Sequence, residues 1–367
     1  MRWSHLAIGD DGQSGAEQPA ALLHRGAVAR TFDTPEFAGV TFYEIHARSA
    51  LNRVPPASRM TFRWTVNPYR GCTHACRYCF ARSTHRWLDL NAGEDFDTRI
   101  VVKVNIAERL RTELAAPRWR GEHVAMGTNV DPYQRGEGRY RLMPGVIGAL
   151  RDARTPFSLL TKGTLLLRDA DLFAEAAEMT DVGVAVSVGF VDEDLWRGVE
   201  PGTPAPRRRL AMCAALRERG LRVGVLMAPI LPYLTDSPAA LAATVDAIAD
   251  AGAASVTPIV LHLRPGAREW YLAWLAEHHP ALVGPYRRLY GDGAYAARSY
   301  QQRITGQVRA LAERAGIGRG APRPGPGGGV AAGAASSVGV EQAAGVAGAA
   351  TLAAPRQGQL ALPGLAG

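Results

Sequence analysis

Cys72, Cys76 and Cys79 crowd onto one short stretch of a 367-residue chain whose fourth cysteine, Cys213, stands far away. Thiolates are soft ligands, and three on a Cys-x3-Cys-x2-Cys loop can wrap an iron–sulfur cubane and ligate three of its irons. With no further cysteine nearby, one iron is left for a ligand that is not protein. A structural zinc site is the other chemistry such a loop offers, with His74 or His85 as fourth donor. Structural zinc more often uses two Cys-x2-Cys knuckles set well apart, and this sequence has no second knuckle. Cys213 lies in the apolar helical run Arg209–Leu216 and reads as a core residue.

Further polar residues fall at the ends of apolar runs. Met126-Gly127-Thr128-Asn129-Val130-Asp131-Pro132-Tyr133 offers Thr128, Asn129 and Asp131 as oxygen acceptors for an ammonium group, or else a plain Asn/Asp-Pro turn. Lys162 follows Leu159-Leu160-Thr161 in a chain whose only other lysine is Lys103, which suggests an anionic partner. Ser187 closes Val184-Ala185-Val186, either facing a ligand or packed as a small core residue.

Elements with the right ends must carry these residues. Six β-rich apolar runs, at Phe62–Val66, His123–Thr128, Phe157–Thr161, Val182–Val188, Arg222–Ala228 and Ser255–Val260, read as buried parallel strands. Helical spacing separates them, beginning at Ile106 and spanning Val146–Ala153, Leu172–Met179, Leu210–Arg219 and Leu241–Ala251. Repeated strand–helix–strand units imply right-handed crossovers and an α/β parallel sheet, doubly wound or curled into a barrel. Active sites of such sheets collect at the C-terminal strand ends, where the cysteines and the other polar residues fall. Trp270–Leu275 and Ile304–Ala315 add helices after the last strand.

The segment Asn67-Pro68-Tyr69-Arg70-Gly71-Cys72-Thr73-His74-Ala75-Cys76-Arg77-Tyr78-Cys79-Phe80 closely resembles the signature of the radical S-adenosylmethionine (SAM) superfamily, with aromatic Tyr78 before the last cysteine. The resemblance implies a partial (β/α)6 barrel over roughly residues 60–262. It also implies a [4Fe–4S] cluster on Cys72, Cys76 and Cys79, whose open iron takes the amino and carboxylate groups of SAM. Reductive cleavage then gives methionine and a 5′-deoxyadenosyl radical, with an electron donor such as flavodoxin or ferredoxin as partner. The Thr-Asn-x-Asp-Pro-Tyr run resembles the spore photoproduct lyase-like branch. By that resemblance Tyr78, Thr128, Asn129, Asp131, Lys162 and Ser187 contact SAM, with Lys162 on its carboxylate. Glu200-Pro201-Gly202 and Arg207-Arg208-Arg209 suggest a site-facing loop, although the arginines alone read equally as a solvated helix face. The branch repairs DNA with a cysteine near the second strand. None stands between Gly127 and Tyr133 here, so photoproduct repair is not expected, and Tyr133 or Tyr69 is the remaining candidate for hydrogen transfer.

Composition sets outer bounds. Hydrophobic residues make up 47% and charged residues 21%, as in a globular protein. The net charge of +8 suits phosphate-rich partners, and a non-catalytic, zinc-stapled, basic nucleic-acid-binding module is the alternative reading. Without a secretory pattern or an apolar stretch of the ~20 residues that span a bilayer, the expectation is a cytoplasmic protein with no membrane partner. The chain divides into a loose N-terminal arm (1–30), a core with helical extensions (31–318) and a Gly/Ala/Pro-rich tail (319–367) expected to be disordered. Within that tail, Gln359-Leu360-Ala361-Leu362-Pro363 resembles peptides that dock on the bacterial sliding clamp, with Pro363 in place of the usual aromatic residue.

Overall fold

A computed structural model describes residues 26–318, apart from 56, 57 and 59. The clamp-like peptide, the tail and most of the N-terminal arm lie outside the described residues. In chain order the strands are β1 (Val28–Arg30), β2 (Thr41–Ile45), β3 (Leu51–Arg53), β4 (Trp64–Val66), β5 (Tyr69–Arg70), β6 (Arg99–Lys103), β7 (Val124–Met126), β8 (Phe157–Thr161), β9 (Val182–Ser187), β10 (Val223–Ile230) and β11 (Ser255–Val260).

The larger sheet runs β11-β10-β9-β8-β7-β4-β3. From β4 to β11 every neighbouring pair is parallel and the strands follow in sequence order, while β3 caps the far edge antiparallel to β4. Six parallel strands in unbroken order, each reached through a helical crossover, make the partial (β/α)6 barrel. All six match the apolar runs of the sequence. Helix Pro238–Asp250 shows how the crossovers are written: Ser237 accepts from the Ala240 N–H at 3.2 Å, Pro238 opens the first turn, and Leu241, Val245 and Ile248 bury one stripe.

Helices Ala267–His278, Val283–Tyr290 and Arg298–Arg314 follow the last strand. Buried tyrosines pin the first two to strand ends: the Tyr271 and Tyr286 hydroxyls lie 2.9 Å apart, Tyr286 donates to the Pro232 carbonyl and Tyr290 to that of Leu261. The sequence reading missed a second sheet, ordered β1-β2-β6-β5, whose first strand lies inside the stretch expected to be a loose arm. It packs a separate core of Phe37, Phe42, Tyr69, Phe96, Ile100 and Val102, and Cys72 belongs to that core. Cys76 and Tyr78 belong instead to the barrel core. The cysteine loop is therefore wedged between two hydrophobic clusters.

Candidate active site

Strand β4 ends at Val66 and the cysteine loop begins within a few residues. Gly71 sits at φ +84°, and an added Cβ would lie 2.9 Å from His85 Cε1 and 3.0 Å from the Phe96 carbonyl, so only glycine permits this entrance. Cys72 then donates its N–H to the Phe96 carbonyl at 2.9 Å. The loop closes on itself through Ala75 N–H to Cys72 O and Cys79 N–H to Cys76 O, both 3.2 Å. Arg82, fully buried, donates to the Cys76 carbonyl through Nε and Nη2 and is held by Asp97 at 2.9 Å. Its guanidinium lies over the Phe96 and Trp270 rings at 5.2 and 4.9 Å.

All three loop cysteines are free thiols, Cys72 and Cys76 buried and Cys79 partly so. Burial pushes each thiol's pKa up, most strongly for Cys72 and Cys76. Among the described residues, no three His, Cys, Asp or Glu side chains converge to hold a single metal ion. A cubane gives each sulfur its own iron and does not require such convergence. The two histidines considered as zinc ligands have other partners: His85 Nε2 meets the Arg99 carbonyl at 2.9 Å and His74 Nδ1 meets Asp131 at 3.3 Å.

The strand ends bring the remaining candidates to the same edge. At Lys162 the ammonium donates to Ser187 Oγ at 2.5 Å and lies 5.7 Å from the centre of the Tyr78 ring. Three residues predicted to bind one cofactor, from β8, β9 and the cysteine loop, thus meet. After β7, Thr128 Oγ1 is buried with no protein partner, and Asn129 is exposed. The turn before Thr128 depends on Gly127 at φ +83°, where an added Cβ would sit 1.9 Å from the Leu160 carbonyl.

Asp131 differs from its expected role. Its carboxylate accepts from Thr161 Oγ1 and the Lys162 N–H, both at 2.6 Å, and from the Tyr133 N–H at 2.9 Å, besides contacting His74. Burial alone would raise its pKa, but His74 and these donors hold it below the ordinary value. It braces the loop instead of offering a free acceptor. The tyrosine hydroxyls are also committed: Tyr69 to Glu137 Oε2 at 2.5 Å and Tyr133 to Asp169 Oδ2 at 3.0 Å.

The residue at the centre of this edge is one the sequence named only within a suggested site-facing loop. Glu200, with no solvent exposure, accepts from the Tyr78 hydroxyl and from Arg209 Nη2 at 2.6 Å, and lies 3.7 Å from Lys162 Nζ. Of the three successive arginines, Arg207 and Arg208 are exposed while Arg209 is buried. A run of like residues conceals the one that turns inward. Beside the loop, a cleft of about 550 Å³ is lined by His74, Phe32, Phe37, Arg135, Arg139 and Thr203, among others.

A parallel barrel carrying three clustered cysteines and a lysine–serine pair at the C-terminal strand ends defines a class of cofactor-dependent enzyme. The family model of the radical SAM superfamily matches residues 66–245. An uncharacterized protein of Mycobacterium tuberculosis is 52% identical over 311 residues, 85% of this chain and 92% of that protein. Another, from Methanocaldococcus jannaschii, is 28% identical over 199 residues, 54% of this chain and 70% of that one. A spore photoproduct lyase variant, solved with bound AdoMet and dinucleoside spore photoproduct, aligns with TM-score 0.59 at 15% identity, over 84% of this chain and 86% of that chain. That last likeness speaks to the fold alone. The chain belongs to the radical SAM superfamily, and it is an enzyme of that class, which replaces the alternative of a non-catalytic zinc module. Enzymes of this superfamily generally use a [4Fe–4S] cluster, SAM and an external reductant. Among the described residues, no helix is long and apolar enough to cross a membrane.

Proposed function

We propose that Cys72, Cys76 and Cys79 hold a [4Fe–4S] cluster and that SAM binds between this cluster and the ends of β7, β8 and β9. When bound and reduced, the pair supplies the electron transfer that cleaves the sulfonium C–S bond. The observation carrying this reading is the meeting of Lys162, Ser187 and Tyr78 beside three free cysteines. Lys162 and Arg209 face the single carboxylate of Glu200, so this network carries one unmatched positive charge suited to the methionyl carboxylate. Thr128 Oγ1, buried and unpartnered, is an available acceptor for the ammonium of SAM, and exposed Asn129 stands next to it. The largely buried loop would shield a bound cluster from water, and Arg82 fixes the Cys76 backbone.

Anaerobic reconstitution with iron and sulfide tests this directly. Native protein gains a brown ~400 nm absorbance and releases 5′-deoxyadenosine from SAM once reduced by dithionite, flavodoxin or ferredoxin. Cys76→Ala loses both. Native protein that takes up no cluster, or a Cys76→Ala variant that still cleaves SAM, would overturn the reading.

The substrate reading rests on the cleft beside His74. Phe32 offers a partly exposed aromatic ring, and Arg135 and Arg139 bring positive charge, with the Arg139 guanidinium 4.5 Å from the Phe32 ring centre. Stacking surface beside arginine suits a nucleotide unit, and the net charge of +8 favours a nucleic acid. DNA and RNA oligonucleotides that raise 5′-deoxyadenosine production support this; failure of every oligonucleotide to do so removes it.

A further inference from the structure

We propose that Glu200 and Arg209 are a positioning pair that ties the cysteine loop to the strand ends that take SAM, setting cofactor geometry without touching the cofactor. This rests on the reading of that edge as a SAM site. One Glu200 oxygen holds the Tyr78 hydroxyl and approaches Lys162. The other takes the Arg209 guanidinium at 2.6 Å. Arg209 also donates to the Ser187 carbonyl at 2.7 Å. Three structural pieces therefore converge on one carboxylate, the cysteine loop, the end of β8 and helix Pro206–Glu218, and Arg209 extends the tie to the end of β9.

The backbone makes the same connection independently. Arg77 donates its N–H to the Val199 carbonyl at 2.9 Å, and Gly202 donates to the His74 carbonyl at 3.0 Å. A Cβ at Gly202 would lie 2.2 Å from the Thr73 carbonyl, so the Val199–Thr203 segment rests directly on the cysteine loop. Glu200 is the residue of that segment whose side chain reaches inward to Tyr78 and Lys162.

Energetics separate this arrangement from ordinary packing. Two fully desolvated charges are a costly way to hold a loop, because apolar side chains of similar volume often do so as well or better. Burial alone would raise the Glu200 carboxyl's pKa, yet Arg209, Lys162 and the Tyr78 hydroxyl hold it below its ordinary value, so it stays ionised. What the charged network adds is direction: fixed bonds to one phenol and two cations that apolar contacts would not orient.

The test compares reconstituted native protein with Glu200→Gln, Tyr78→Phe and the double variant. SAM affinity is read by equilibrium dialysis, and the cluster by iron content and by the change in its EPR signal when SAM is added. Each single variant should keep its iron, bind SAM about tenfold more weakly and give an altered SAM-dependent EPR change. The double variant should lose little beyond either single one, because both cut the same tie. Should Glu200→Gln fail to hold its cluster, Tyr78→Phe decides alone, since it leaves the buried ion pair in place. SAM binding within twofold of native in an iron-replete variant, with an unchanged EPR response, overturns the inference. Full additivity in the double variant does the same. If native protein with a full cluster shows no response to SAM, the underlying reading of the site falls instead.

Discussion

The chain's two lysines occupy opposite regimes of the same electrostatics. Lys103 is buried and donates to the Asn67 carbonyl at 2.8 Å, with burial pushing its pKa down from 10.5 to about 8. A pKa lowered by folding means that the unfolded chain holds the proton more firmly. The stability linked to this group is therefore present above pH 10.5 and is lost as pH falls through about 8. The difference of about 2.5 units corresponds to ~3 kcal/mol. Lys103→Met should accordingly melt higher than native at pH 7, with the advantage shrinking between pH 8 and 10; melting curves that shift in parallel across that range would contradict it. Lys162 keeps a serine, a carboxylate and a ring for company at the active edge. Replacing it with alanine should weaken SAM binding roughly 10- to 100-fold, the range for a charged hydrogen bond, while iron content stays native. Equal affinity by dialysis would remove it from the site.

At the scale of elements, close contact between loops matters as much as the strands that support them. Gly202→Ala would push a methyl group into the Thr73 carbonyl, a backbone atom that cannot swing aside, so the cysteine loop itself must shift. Iron bound per chain should fall by half or more. Gly148→Ala is the control: its Cβ would meet nothing within 4 Å in the middle of helix Leu142–Asp152, so it should keep iron and gain ~0.5–1 kcal/mol. Matching iron content in the two variants would show that the contact is immaterial. The same distinction governs what could be read from sequence. Each barrel strand was legible because Phe157–Thr161 and its equivalents are apolar runs with turn residues at their ends. The second sheet was not, because β5 is two residues inside the cysteine signature and β1 three residues beside a polar arm. Lys162 and Ser187 were named as candidates from their place at strand ends, and their side chains meet. Glu200 was named only as part of a loop, since nothing in its type announces that a segment beyond β9 folds back over Tyr78. Asp131 was legible as an acceptor, but the sequence does not show the four groups that occupy it.

For the whole molecule, the consequence of a loop seated between two cores is that the cysteines proposed to hold the cluster lean on a sheet outside the barrel. Phe42, fully buried on β2, packs 5.3 Å from Phe37, 5.4 Å from Phe32 and 5.5 Å from Tyr140, in the cluster that also contains Cys72. Ile248, equally buried, lies in the barrel core on helix Pro238–Asp250. Truncating either to alanine removes a large core side chain, at ~3–5 kcal/mol for phenylalanine and ~2–5 kcal/mol for isoleucine. The two losses should separate in their effect on the cofactor. Ile248→Ala should lower the melting temperature while the protein that remains folded at room temperature binds its full complement of iron. Phe42→Ala should lose iron at temperatures where far-UV circular dichroism still reports an intact barrel, because the cavity opens in the cluster that contains Cys72 and not in the barrel core. Iron release that tracks global unfolding equally in both variants would mean that the small sheet contributes stability alone and has no special hold on the cysteine loop.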